Sequence, residues 1–72
     1  MSAAKLTRLE HAVLRNVWRG LMPWDGRTEA GRVATFHGSR CALARLRRYG
    51  FVRPDWYALT PAGNLLIGAV KP

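Results

Sequence analysis

A mainly α fold of the α+β kind, with three helices, a short β-hairpin and a C-terminal helix, is predicted by three features of the 72 residues. Apolar residues recur at helical spacing over 7–21, behind a Thr-x-x-Glu start. A second helical run, 39–49, stops at Gly50. Beyond Gly50 the period shortens to that of strands, and Thr60-Pro61 restarts a helix.

Each element has its own reason. In Thr7-Arg8-Leu9-Glu10 the Thr hydroxyl and Glu carboxylate can each satisfy a free backbone N–H, so a helix begins there. Leu6, Leu9, Val13, Val17 and Leu21 form its apolar stripe with Leu14 beside it, and Arg8, His11, Arg15 and Arg19 lie opposite. Gly20, Pro23 and Asp25-Gly26 end it. Thr28 is expected to cap a shorter second helix through Glu29, Ala30 and Val33 to about Thr35. His37-Gly38 reads as a turn. Ser39 then caps a third helix running to Tyr49, which Gly50 closes in the left-handed conformation. Phe51-Val52-Arg53 and Trp56-Tyr57-Ala58-Leu59 read as two strands joined by Pro54-Asp55. Thr60 caps the last helix, about 61–70, and Pro61 takes its first position. Leu65, Leu66, Ile67 and Val70 are its apolar residues.

The length suits a single domain over 1–72, and so small a core makes dimerisation a natural source of extra stability. Twelve Lys and Arg against four Asp and Glu leave a net charge of +8, which points to an acidic partner. Nucleic acid comes first, then anionic membrane and acidic proteins. Ten of the twelve bases are Arg, the better fork for phosphate and guanine edges. Cys41 is the only cysteine, so an internal disulfide is excluded. A secretory leader is not apparent, and apolar runs such as Leu65-Leu66-Ile67 are too short to span a bilayer. A cytoplasmic location is therefore expected. The acids Glu10, Asp25, Glu29 and Asp55 are scattered, and no nucleophile motif is present, so an enzyme is not expected. His11 and His37 lack partners at metal-ligand spacing, so neither a metal nor a cofactor is expected.

The stretch from Ala42 to Val52, Ala-Leu-Ala-Arg-Leu-Arg-Arg-Tyr-Gly-Phe-Val, is followed by Leu59-Thr60-Pro61-Ala62-Gly63. This pattern resembles winged-helix regulators of the MarR and PadR kind. There a recognition helix of the form A-L-x-R-L-x-x-x-G-x-V precedes a β-hairpin wing, and a Leu-Thr-x-x-Gly segment opens the next helix. The resemblance covers about a third of the chain. It implies a winged helix-turn-helix with double-stranded DNA as partner. The wing departs from that pattern: only Pro54-Asp55 separates its strands, with Arg53 at its base, where the family carries a long basic hairpin. The binding load shifts onto the third helix.

On a helical wheel Ala42, Leu43, Leu46 and Tyr49 cluster as a core stripe. The opposite arc carries Arg40, Cys41, Ala44, Arg47 and Arg48, with Arg45 on its flank. Ser39, Arg40 and Ala44 are expected to face bases in the major groove, and Arg45, Arg48 and Arg53 to meet phosphates. Arg47 belongs to the same DNA-binding set. The function expected is sequence-specific DNA binding, by a transcriptional regulator or a phage or mobile-element factor. A second reading stays open: a winged-helix module docking onto an acidic protein surface, as a small phage-encoded inhibitor does. Its candidate interface is Trp18, Trp24, Leu66 and Ile67. Leu65, Leu66 and Ile67 are consecutive and cannot all face one core, which marks the C-terminal helix as the expected homodimer surface.

Overall fold

The first helix, α1 (Arg8–Trp18), starts at a complete capping box in the computed structural model, which describes residues 6–70. The Glu10 N–H donates to Thr7 Oγ1 (3.1 Å) and the Thr7 N–H donates to Glu10 Oε1 (2.9 Å). At the other end Gly20 has φ +79°, and the N–H groups of Gly20 and Leu21 return to the Val17 and Asn16 carbonyls. Three further helices follow: α2 (Glu29–Val33), α3 (Phe36–Arg48) and α4 (Pro61–Val70). α1 is the central element, packing against each of the others. Its Ala12, Val13, Leu14 and Val17 are buried with Ala30 of α2, Ala42, Leu43 and Leu46 of α3, Phe51 and Val52, and Ile67 of α4. The fold is mainly helical, as expected.

Two polar residues of α1 are also buried. Asn16 donates its side-chain amide to the Pro23 carbonyl (3.1 Å) and to Thr28 Oγ1 (2.8 Å), and Thr28 Oγ1 in turn donates to the Asp25 carbonyl (2.7 Å). One amide thus organises the connection between α1 and α2. Thr28 precedes α2 as expected, but its hydroxyl serves this network instead of capping the helix.

α3 corrects the expected boundary. Its N-cap is Thr35, whose Oγ1 accepts from the Gly38 N–H (3.2 Å), so His37 and Gly38 are helical and Ser39 lies inside the second turn. Only Ala34 and Thr35 separate α2 from α3. The far end behaves as expected: Gly50 has φ +85°, and the Gly50 and Phe51 N–H groups donate to the Arg47 and Leu46 carbonyls. Tyr49, expected in the core stripe, is half exposed, because the helix has ended there and its ring leans on Phe51 from outside.

The two expected strands reduce to one antiparallel bridge, Val52 to Leu59. The Arg53 N–H donates to the Ala58 carbonyl (2.8 Å) and the Thr60 N–H to the Phe51 carbonyl (3.1 Å). The residues between bend away from strand geometry, since Pro54 has no N–H to contribute to a ladder. α4 begins as expected: Thr60 Oγ1 accepts from the Gly63 N–H (3.1 Å) and donates to the Gly50 carbonyl. Of the three consecutive apolar residues, Ile67 is buried, Leu66 leans on the core, and Leu65 points outward. Ile67 is therefore core and not interface. The Val70 side chain lies outside the described residues.

Candidate nucleic-acid interface

Thirteen residues at about 1.5 Å rise make α3 a rod of about 20 Å. His37, Arg40, Cys41, Ala44 and Arg48 are exposed along it at spacings of three and four, so they share one stripe. Phe36, His37, Arg40, Cys41 and Ala44 line a shallow depression along its N-terminal half. Cys41 Sγ and His37 Nε2 lie 3.6 Å apart there. No carboxylate occurs anywhere in α3.

The seven residues expected to meet DNA separate into three groups. Arg40, Ala44 and Arg48 are exposed on this stripe. Arg53 is exposed at the base of the bend after Val52, where its Nε lies 3.4 Å from Asp55 Oδ1. The other three are turned to structural work. Ser39 is 1% exposed, held inward because α3 starts at Thr35, and its hydroxyl has no hydrogen-bond partner among the described residues. It cannot reach a ligand. Ser39→Ala is expected to raise stability by about 1 kcal/mol in a denaturant titration, since it removes an unsatisfied buried hydroxyl and improves helix propensity.

Arg45 spans from α3 to α1, where its guanidinium pairs with the buried Glu10 carboxylate. Burial pushes the Glu10 pKa up, but the Arg45 hydrogen bond and the Thr7 N–H outweigh it, and the net direction is down. Arg47 donates Nε–H to the Arg53 carbonyl (2.9 Å) and its terminal nitrogen to the Trp56 carbonyl (3.3 Å), with its guanidinium 5.4 Å from the centre of the Tyr57 ring. It braces the bend over 53–57. The sequence showed Arg45 and Arg47 only as two more charges on an arc; the partners that claim them come from α1 for Arg45 and from the bend just beyond α3 for Arg47.

Every acid is similarly engaged. Glu29 pairs with Arg8 (2.6 Å) and faces Arg15 (3.8 Å), and Asp25 pairs with Arg27 (3.1 Å). Hydrogen bonds from Arg8 and from Arg27 hold the Glu29 and Asp25 pKa values below the usual carboxylate range. Among the described residues Arg19, Arg32, Arg40, Arg47 and Arg48 have no carboxylate at ion-pair distance. Two of these five lie on the α3 stripe.

The residues missed by sequence reasoning are Phe36 and His37, which enter the site once α3 is lengthened at its start. The signal was present in Thr35, a good cap followed three residues later by Gly38, but Ser39 is an equally good cap and Gly38 a helix breaker. Of the candidate protein-interface residues, Trp24 packs its ring edge-to-face on Phe36 and Tyr57, at 4.9 and 5.7 Å between centroids, and is therefore partly internal. Trp18 is partly exposed at the end of α1. No group of three or more metal-ligating side chains occurs among the described residues, and no helix there is long and apolar enough to cross a membrane. None of the family models, curated proteins or solved structures compared with this chain matches it.

Proposed function

We propose that this chain is a winged helix-turn-helix protein that binds double-stranded DNA by laying α3 in the major groove, as a small transcriptional regulator or a phage or mobile-element factor of the cytoplasm. The observation that carries this reading is the acid-free stripe of α3. Arg40 and Arg48 flank the small residues Cys41 and Ala44, and the stripe begins directly after the two-residue turn from α2. Small side chains let a helix backbone approach the groove floor, while arginine reaches guanine O6 and N7 or phosphate. The N-terminal half of such a helix meets the bases, which assigns His37, Arg40 and Ala44 to base edges and Arg48 and Arg53 to phosphates. Arg53, at the base of the short bend after Val52, supplies the contact of a reduced wing. Leu65, 77% exposed on α4, supports a homodimer through the C-terminal helix.

The test is duplex binding as a function of salt. With about two phosphates neutralised per subunit, by Arg48 and Arg53, log affinity is expected to fall against log salt with a slope of about −2. Arg48→Ala should weaken all duplexes alike and flatten that slope by about 1, whereas Arg40→Ala should also relax sequence preference. A flat salt dependence would sink the reading. Docking onto an acidic protein surface is favoured by one observation, the exposed Trp56 at the bend. That reading prevails if duplex DNA stays unshifted at micromolar protein and low salt.

A further inference from the structure

Four of the seven aromatic side chains form one continuous row across three separate segments. Phe36 opens α3, Trp24 comes from the α1–α2 connection, and Tyr57 and Trp56 come from the bend after Val52. Successive ring centroids lie 4.9, 5.7 and 5.5 Å apart. The two inner rings are partly buried against the core, but the ends are open: Phe36 is 55% exposed and Trp56 66%. A row serving only to seal the core would bury its ends, since each exposed ring forfeits the burial energy that aromatics ordinarily supply.

Cations accompany the rings. The Arg40 guanidinium lies 5.6 Å from the centre of the Phe36 ring, and that of Arg47 lies 5.4 Å from the centre of Tyr57. The nearby acids, Asp25 and Asp55, are each engaged by an arginine, Arg27 and Arg53. Arg40 and Arg47 have no such counter-charge. The row therefore ends in two exposed rings and is flanked by arginines that no carboxylate pairs.

We propose that this aromatic–arginine row binds single-stranded DNA, with unpaired bases stacking on Phe36 and Trp56 while Arg40 meets the phosphates and Arg47, bonded to the Arg53 and Trp56 carbonyls, holds the bend in place. Charge complementarity selects a polyanion, and exposed rings select one whose own flat faces are free. Duplex bases are stacked on one another and have none to offer; an unpaired strand does. The row shares Arg40 with the α3 stripe and Phe36 with the depression beside it, whereas Trp24, Tyr57 and Trp56 lie outside both, and the proposal does not require duplex binding.

Fluorescence anisotropy with a labelled oligo-dT of about 20 nucleotides tests it at low salt, beside an abasic strand of equal phosphate count and a duplex of equal length. The oligo-dT is expected to bind about tenfold tighter than the abasic strand and to quench tryptophan emission. Trp56→Ala and Phe36→Ala should each weaken oligo-dT binding about tenfold, and Trp56→Tyr should restore it, because stacking needs a ring and not an indole. Trp56→Ala should leave duplex affinity within about twofold, which separates this site from α3. Both rings are exposed, and circular dichroism confirms that the variants fold. Equal binding of the abasic strand, no loss in Trp56→Ala, or displacement of oligo-dT by poly-glutamate at equal charge would each overturn the proposal.

Discussion

Gly63→Ala is expected to lower stability by about 3 kcal/mol, a fall of about 12–24 °C in Tm for a domain of this size. A Cβ placed on Gly63 would stand 2.0 Å from the Phe51 carbonyl oxygen and 3.0 Å from its carbon, both backbone atoms that cannot swing aside. The same oxygen accepts the Thr60 N–H, so relieving the clash means separating α4 from the segment that leads into the bend. Gly68 provides the control within one helix. Its added Cβ meets nothing within 4 Å, so Gly68→Ala should gain up to about 1 kcal/mol from helix propensity alone. Thermal melts of the two variants against the parent measure both effects. A small loss in Gly63→Ala would mean that α4 is not seated on the Phe51 carbonyl.

The second large effect concerns Glu10 and Arg45. Removing the guanidinium with Arg45→Ala leaves the Glu10 carboxylate, 4% exposed, without its cation, at an expected cost of about 2–3 kcal/mol. The partly exposed Arg45 side keeps the figure below that of a fully buried pair. Substituting both partners by apolar residues, Glu10→Met with Arg45→Leu, should recover most of the loss, because no uncompensated charge remains. The pH dependence has a definite sign. Glu10 has a folded-state pKa below its ordinary value of 4.5, so its contribution is fully present above that value. It is lost as pH falls through the lower folded-state pKa. Melts from pH 7 to pH 3 should therefore show the parent converging on Arg45→Ala in acid. A constant gap across that range would exclude the ion pair as its cause.

Much of the local architecture was legible in the residues. The Thr7/Glu10 capping box, the left-handed Gly50 and the Thr60-Pro61 restart depend on contacts within about one helical turn, and each appears as read. The Leu59-Thr60-Pro61-Ala62-Gly63 segment illustrates the limit. Thr60 and Pro61 were explicable from capping alone, whereas Gly63 acquires its reason only when Phe51 arrives beside it. The start of α3 was ambiguous because Thr35 and Ser39 are both sound caps. Burial of Ser39 is a tertiary matter that no local preference encodes. The hairpin shrank to a bridge because strand patterning over 51–59 could not weigh Pro54 against the pull of Arg47 on the Arg53 and Trp56 carbonyls.

The candidate site divides along the same line. Charge, arginine content and the acid-free helix are properties of composition and helical period, and the sequence alone determined that one face of the third helix would be basic. Which arginines remain available was decided by tertiary structure, because an arginine on a long flexible stem goes to the nearest competent acceptor. For Arg45 that acceptor is Glu10, 35 residues away, and for Arg47 it is the backbone of the bend. The aromatic row is wholly a product of folding: its four rings come from three segments and meet only after α1, α3 and the bend have packed. Local hydrogen bonding and periodicity reach a few residues along the chain, whereas ion pairing and ring contacts act through space.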